Sequence, residues 1–99
     1  MVIKKEKEGN KLKLSLEGRL DTVTSPELEE ELSNSIDGIE QLIFDMSELQ
    51  YITSSGIRVL LYAQKVMNSQ GKMIITNINT VVKEVFDVTG FDDIFTIEW

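Results

Sequence analysis

Two hydrophobic periods alternate along this chain, and each suits only one kind of backbone. In Lys11–Gly18, KLKLSLEG, the residues Leu12, Leu14 and Leu16 fall on one side and Lys11, Lys13 and Ser15 on the other. A period of two is that of a half-buried strand. In Thr24–Gly38, TSPELEEELSNSIDG, the apolar residues Leu28, Leu32 and Ile36 recur every four positions, the period of one helix face. Ser25 reads as its N-cap with Pro26 at the first helical position, Thr24 with Glu27 as a competing capping box, and Gly38 as its end. The glutamates between the leucines read as a solvated face.

The rest of the chain continues the alternation. QLIFDMS (41–47) and KMIITNI (72–78) are short continuous apolar runs of the kind expected in central, buried strands. SGIRVLLYAQKVMNSQG (55–71) reads as a second helix closed by Gly71. NTVVKEVFDVTG (79–90) reads as a third, capped by Asn79 or Thr80, with Val82 and Phe86 inward. FDDIFTIEW (91–99) carries a last short strand. VIKKEKE (2–8), joined through Gly9-Asn10, reads as a polar edge strand in a hairpin. The expected order is β-β-α-β-α-β-α-β, an α/β fold whose crossovers make the sheet mostly parallel and whose opening hairpin makes it mixed.

Ninety-nine residues suffice for one domain with one modest core, and 41% hydrophobic with 27% charged residues is ordinary globular composition. The chain has no Cys and no His, so it lacks thiolate nucleophiles, disulfides, the commonest metal ligand and the commonest base near neutral pH. A net charge of −7 would be repelled by a duplex phosphate backbone, so nucleic acid is not an expected partner. The apolar runs are far shorter than a membrane span, and MVIKKEKEGN lacks the apolar core of a signal peptide. The expectation is a cytoplasmic protein with no cofactor and no direct membrane insertion.

Chemistry concentrates in DMSELQYITSSGIRVLL (45–61). An apolar strand ends at Asp45, a short polar loop is expected, and Thr53, Ser54 and Ser55 stand before a helix opening at Gly56. Such a strand-to-helix edge is where open α/β sheets place ligand chemistry, and a helix N-terminus stabilises an anion. The hydroxyls could be plain helix caps. As a nucleophile Ser54 has no His to take its proton, and TSSGI is not a nucleophile elbow. The Gly-rich phosphate loops of nucleotide sites are absent. A phosphoacceptor remains, in which an added dianion would disturb a partner lying over the spot but not the fold. On the second helix, Ile57, Leu60, Leu61 and Met67 form the expected inner stripe. Val59, Tyr62 and Val66 form another, either packed or exposed to a partner.

LEGRLDTVTSPEL, LIFDMSELQYITSSGIRVLL and VFDVTGFDDIF, in this order and spacing, resemble the STAS domain of bacterial anti-sigma factor antagonists over nearly the whole chain. The resemblance implies a single STAS domain over 1–99, with a mixed four- or five-stranded sheet flanked by helices. It implies a non-enzymatic, partner-switching regulator of sigma-factor-dependent transcription. Such an antagonist binds an anti-sigma factor that is also a serine kinase, is released by phosphorylation, and is restored by a PP2C-type phosphatase. Mapped here, the phosphoacceptor is Ser54, with Ser55 and Thr53 as rivals. Gly56 would let the partner approach, Ile57 and Arg58 would be partly exposed for docking, and Asp21 matches a family aspartate near the partner surface unless it only organises its loop. The family commonly has Asp where this chain has Thr53, which removes a charge beside the acceptor. The rival roles are a non-phosphorylated scaffold subunit of a lipid-transport ATP-binding-cassette complex and a small hydrolase using Ser54.

Overall fold

The computed structural model describes residues 1–98; Trp99, the last residue of the expected domain, lies outside them. Strands β1 (Val2–Glu8) and β2 (Lys11–Leu20) form the antiparallel hairpin, with Gly9 at φ +61° in its turn. Then follow α1 (Ser25–Ser35), β3 (Gln41–Ile52), α2 (Ser54–Asn68), β4 (Lys72–Thr76), α3 (Thr80–Thr89), a 3-10 turn (Phe91–Asp93) and β5 (Ile97–Glu98). The five strands lie in sequence order, and β2 through β5 pair in parallel. Right-handed crossovers that all step the same way place their helices on one face of the sheet.

Burial records that arrangement. Leu12, Leu42 and Met73 are register partners across β2, β3 and β4, as are Leu14, Phe44 and Ile75, and all six are buried in one cluster with residues of the three helices. On the opposite face Lys13, Ser15, Ile43, Asp45, Ile74 and Thr76 are half-exposed. The expectation that β3 and β4 are buried on both faces is therefore corrected: a continuous apolar run here spans one buried and one partly open face.

The polar loop expected after Asp45 is also absent. β3 runs on to Ile52, two residues longer than β2, and the register shifts between Ser15 and Glu17 and between Gly18 and Arg19 each absorb one extra β3 residue. Bulges of this kind break the period of two. Beyond the first, the buried residues Met46, Leu49 and Ile52 fall three apart, which is why this segment does not read as a strand. Asp45 secures the first bulge by accepting the Ser47 N–H at 3.0 Å, and takes Asn77 at 3.2 Å. Burial alone would raise its pKa. The Ser47 N–H, Asn77 and nearby Lys13 outweigh it and hold the carboxyl below its ordinary value.

Helix ends follow the local rules at α3 and depart from them at α1. Asn79 caps α3 by accepting the Val82 N–H at 2.8 Å, and Val82 and Phe86 face inward. α1 ends at Ser35, with Gly38 three residues beyond it, and the carbonyls of Ile36 and Ile39 accept the Gln70 side-chain amide at 2.9 Å. Neither expected cap holds α1: Thr24 occupies the N-cap position without a side-chain cap bond, and Ser25 is its first residue, so no capping box forms. No helix among the described residues is long and apolar enough to cross a membrane.

Gly71 marks the tightest backbone approach. The Lys72 N–H donates to the Glu40 carbonyl at 2.9 Å, so the chain passes close against Glu40. A Cβ on Gly71 would stand 1.9 Å from that oxygen. Gly71→Ala should therefore destabilise the domain by about 2 kcal/mol through forced backbone displacement, read as a lower urea midpoint. An unchanged midpoint would refute the close approach.

Candidate functional site

The parallel register pairs Leu20 with Ile52 at the carboxyl ends of β2 and β3, and the Thr53 N–H donates to the Leu20 carbonyl at 3.0 Å. The loop after β2 and the start of α2 are thereby held side by side. α2 begins at Ser54, two residues before Gly56, so Ser54 and Ser55 belong to its first turn. Thr53 is the N-cap residue in extended conformation, yet its side chain does not cap the helix. Its carbonyl accepts the Ile57 N–H at 3.0 Å.

The three hydroxyls occupy different environments. The Thr53 Oγ1 atom is buried and has no hydrogen-bond partner among the described residues. Ser55 is half-buried, and its Oγ lies 3.1 Å from the Thr22 hydroxyl of the facing loop. Ser54 is exposed. No acidic residue stands in the first turn of α2, so its N-terminal amides and their partial positive charge face no neutralising carboxylate of their own turn. Of the rivals, Thr53 has its oxygen turned inward and Ser55 has it engaged.

Two expected contact residues are buried, and Ile57 keeps the inner-stripe place that the helix period gives it without the expected partial exposure. Ile57 is 1% exposed and packs in the central cluster. Gly56 is buried, and a Cβ there would meet the Leu20 side chain at 2.6 Å and the Leu20 carbonyl oxygen at 2.9 Å. Its missing side chain admits β2 against α2. Val59, expected on the second stripe, is buried too, while Tyr62 of that stripe is exposed and Leu61 of the inner stripe is only partly buried. Arg58 is exposed. It borders a groove of about 480 Å³ between α1 and α2, shared with Thr22, Ser55, Pro26, Val59 and Tyr62.

Asp21 organises the loop. Its Oδ1 accepts the N–H groups of Val23 and Thr24, each at 3.0 Å, and the Thr24 hydroxyl at 3.2 Å. That is an Asx turn. The Thr24 hydroxyl also donates to the Arg19 carbonyl at 2.7 Å, and the Ser25 hydroxyl donates to the Asp21 carbonyl. The Thr24 N–H is the main cause that draws the Asp21 carboxyl below its ordinary pKa. Partial burial opposes it, and the Val23 N–H, the Thr24 hydroxyl and Arg19 add to it. Arg19 itself sits 3.8 Å from Asp21 and 5.3 Å over the Tyr51 ring.

Thr22, Val23 and the Arg19–Tyr51 pair carry no sequence signal. They lie in a loop or on opposite strands, where neither hydrophobic period applies, and only the β2–β3 pairing brings Thr22 to Ser55 and Arg19 to Tyr51. Among the described residues no group of three carboxylates gathers in a metal-holding arrangement. Chemically the surface offers one free hydroxyl at a positively polarised helix end, beside a hydrogen-bonded loop.

The family model described as STAS domain matches residues 2–98. A protein assigned as the anti-sigma factor antagonist BtrV of Bordetella bronchiseptica is 34% identical over 84 residues, which cover 83% of this chain and 72% of that protein. The anti-sigma-B factor antagonist of Staphylococcus aureus is 28% identical over 82 residues, covering 81% and 76%. An anti-sigma factor antagonist from Mycobacterium paratuberculosis superposes with a TM-score of 0.87 at 21% identity over 97% of this chain and 83% of that one. SpoIIAA of Bacillus in its phosphorylated form superposes with a TM-score of 0.75 at 19% identity, over 99% and 92%.

The ionised Asp21 carboxylate accepts the bonds from the Val23 and Thr24 N–H groups more strongly than the protonated acid does. Its folded pKa is lowered, so its contribution is complete above the unfolded value of about 3.9 and is lost as pH falls through the folded one. Asp21→Ala should thus lower the urea midpoint at pH 7 and lower it progressively less below about pH 4. A mutational difference that does not shrink on acidification would show that the turn does not depend on the ionised carboxyl.

Proposed function

The chain belongs to the STAS domain family of anti-sigma factor antagonists, and from that premise we propose that it binds an anti-sigma factor with serine kinase activity and is released by phosphorylation of Ser54. The supporting observation is the division of the hydroxyls: Ser54 is exposed at the start of α2, while Thr53 Oγ1 is buried and Ser55 is bonded to Thr22.

Phosphorylation would add a charge of about −1.5 to −2 and three acceptor oxygens. The domain can carry that load. The group would sit at the positive end of the α2 dipole, with Arg58 four residues on along the same helix and exposed. A partner packed over Ser54 would have to desolvate the dianion or withdraw, which makes the modification a binding switch and leaves the fold intact. In this reading the domain is a binding module and not an enzyme, and a PP2C-type phosphatase restores the unmodified form. The Bacillus neighbour is known in a phosphorylated form, which agrees with the family's use of such a switch. Thr53 in place of the family's usual aspartate takes one negative charge away from the acceptor, so the cognate kinase would read a less acidic site.

The test is a capture from native lysate with wild-type, Ser54→Ala and Ser54→Asp baits, partners identified by mass spectrometry. Wild type and Ser54→Ala should hold a kinase-type ATPase that Ser54→Asp holds at least about tenfold more weakly. With ATP, that kinase should add one phosphate to wild type and to Thr53→Ala but none to Ser54→Ala. A transporter ATPase, or a partner indifferent to all three baits, would return the hydroxyls to helix capping and assign the chain a scaffold role.

A further inference from the structure

We infer that Val23 is the apolar anchor by which the anti-sigma factor docks beside Ser54, and that Asp21 supports this contact by positioning the loop without touching the partner. The inference rests on the partner reading above and names the contact residue of that same surface.

Val23 is 83% exposed, at the tip of the loop between β2 and α1. Exposure alone says little, because single apolar residues are common on protein surfaces; Val88 on α3 is 81% exposed. Place separates Val23 from Val88: it stands in the loop bonded to the first turn of α2, and that loop is held as firmly as a regular element. The Val23 N–H is held by Asp21 Oδ1 at 3.0 Å, and the next N–H, that of Thr24, by the same oxygen at 3.0 Å. The Thr24 hydroxyl accepts the Asp21 N–H at 2.9 Å and donates to the Arg19 carbonyl at 2.7 Å. On the other side Thr22 is bridged to Ser55 at 3.1 Å. An exposed loop tip is thus pinned at the residues before and after its apolar side chain.

A β-branched side chain adds stiffness, since valine has one or two accessible rotamers. A partner that buries it gains apolar contact and gives up little conformational entropy in return. The matching surface on the anti-sigma factor is a shallow apolar pocket of valine size.

The bridge from Thr22 to Ser55 explains why this anchor suits a switch. It fixes the Val23 loop against the first turn of α2, the turn that carries Ser54. A phosphate on Ser54 would stand at the edge of the apolar contact, where its hydration has to be removed for the partner to stay seated. One modification then opposes the burial of Val23 without any change in the loop.

The experiment uses the recombinant anti-sigma factor recovered by the wild-type bait, titrated calorimetrically against purified variants of the full chain. Val23→Ser should raise Kd at least about tenfold and Val23→Ile by less than about threefold, with urea midpoints unchanged because the residue is exposed. Asp21→Ala should weaken binding by loosening the loop, and Asp21→Asn should restore most of it, since an amide oxygen can still accept the two N–H bonds. If Ser54→Asp weakens binding but Val23→Ser leaves it within about twofold, the anchor is refuted and the partner switch stands. If Ser54→Asp has no effect, the partner reading itself falls. A loss in Asp21→Asn as large as in Asp21→Ala would assign its charge to direct contact and remove the positioning role.

Discussion

Everything distinctive about the surface depends on the parallel pairing of β2 with β3. Ten residues of one strand are matched to twelve of the other, and two bulges absorb the difference. The pairing ends with Leu20 beside Ile52, and the chain leaves both strands at the same edge of the sheet. From there one backbone bond, Thr53 N–H to the Leu20 carbonyl, ties the two departures together. The hydroxyl-rich start of α2 and the Asx turn after β2 are neighbours for this reason, although they lie some thirty residues apart in sequence.

Two opposite kinds of residue then make the edge usable. Gly56 has no side chain where one would strike Leu20, so α2 can seat against β2. Leu20, Ile52 and Ile57 close the core beneath it. The residues above this floor are small and polar and bonded mainly to one another: Thr22 to Ser55, Thr24 to Asp21 and Arg19, Ser25 to Asp21. Ser54 projects outward from that network. A rigid apolar floor thus lies under a hydrogen-bonded rim, from which one hydroxyl faces solvent.

Partial legibility has physical causes that differ from element to element. The first hairpin, the α1 stripe of Leu28, Leu32 and Ile36, and the Asn79 cap of α3 are local devices, so the residues involved announce them. The second half of β3 was hidden because bulges replace alternation by the spacing Met46, Leu49, Ile52. The burial of Gly56 and Val59 is not legible because a position on a helix says nothing about which element lies against it. α1 is held at its start by the Asp21 turn in front of it and at its end by Gln70, which lies 34 residues after Ile36. No local rule can supply the second partner.

Sequence by itself determined the succession of elements, the mixed α/β class, the inward residues of β2, α1 and α3, and the short segment in which hydroxyls meet a helix start. Those follow from period, capping and turn chemistry, which act within a few residues. Tertiary structure alone decided which of Thr53, Ser54 and Ser55 faces water, that Val59 belongs to the core, that Thr22 stands against Ser55, and that one sheet face stays open. Those depend on register between strands and on the direction of each crossover. Side-chain exposure is set by what packs from a distance, and the same local pattern is compatible with either outcome.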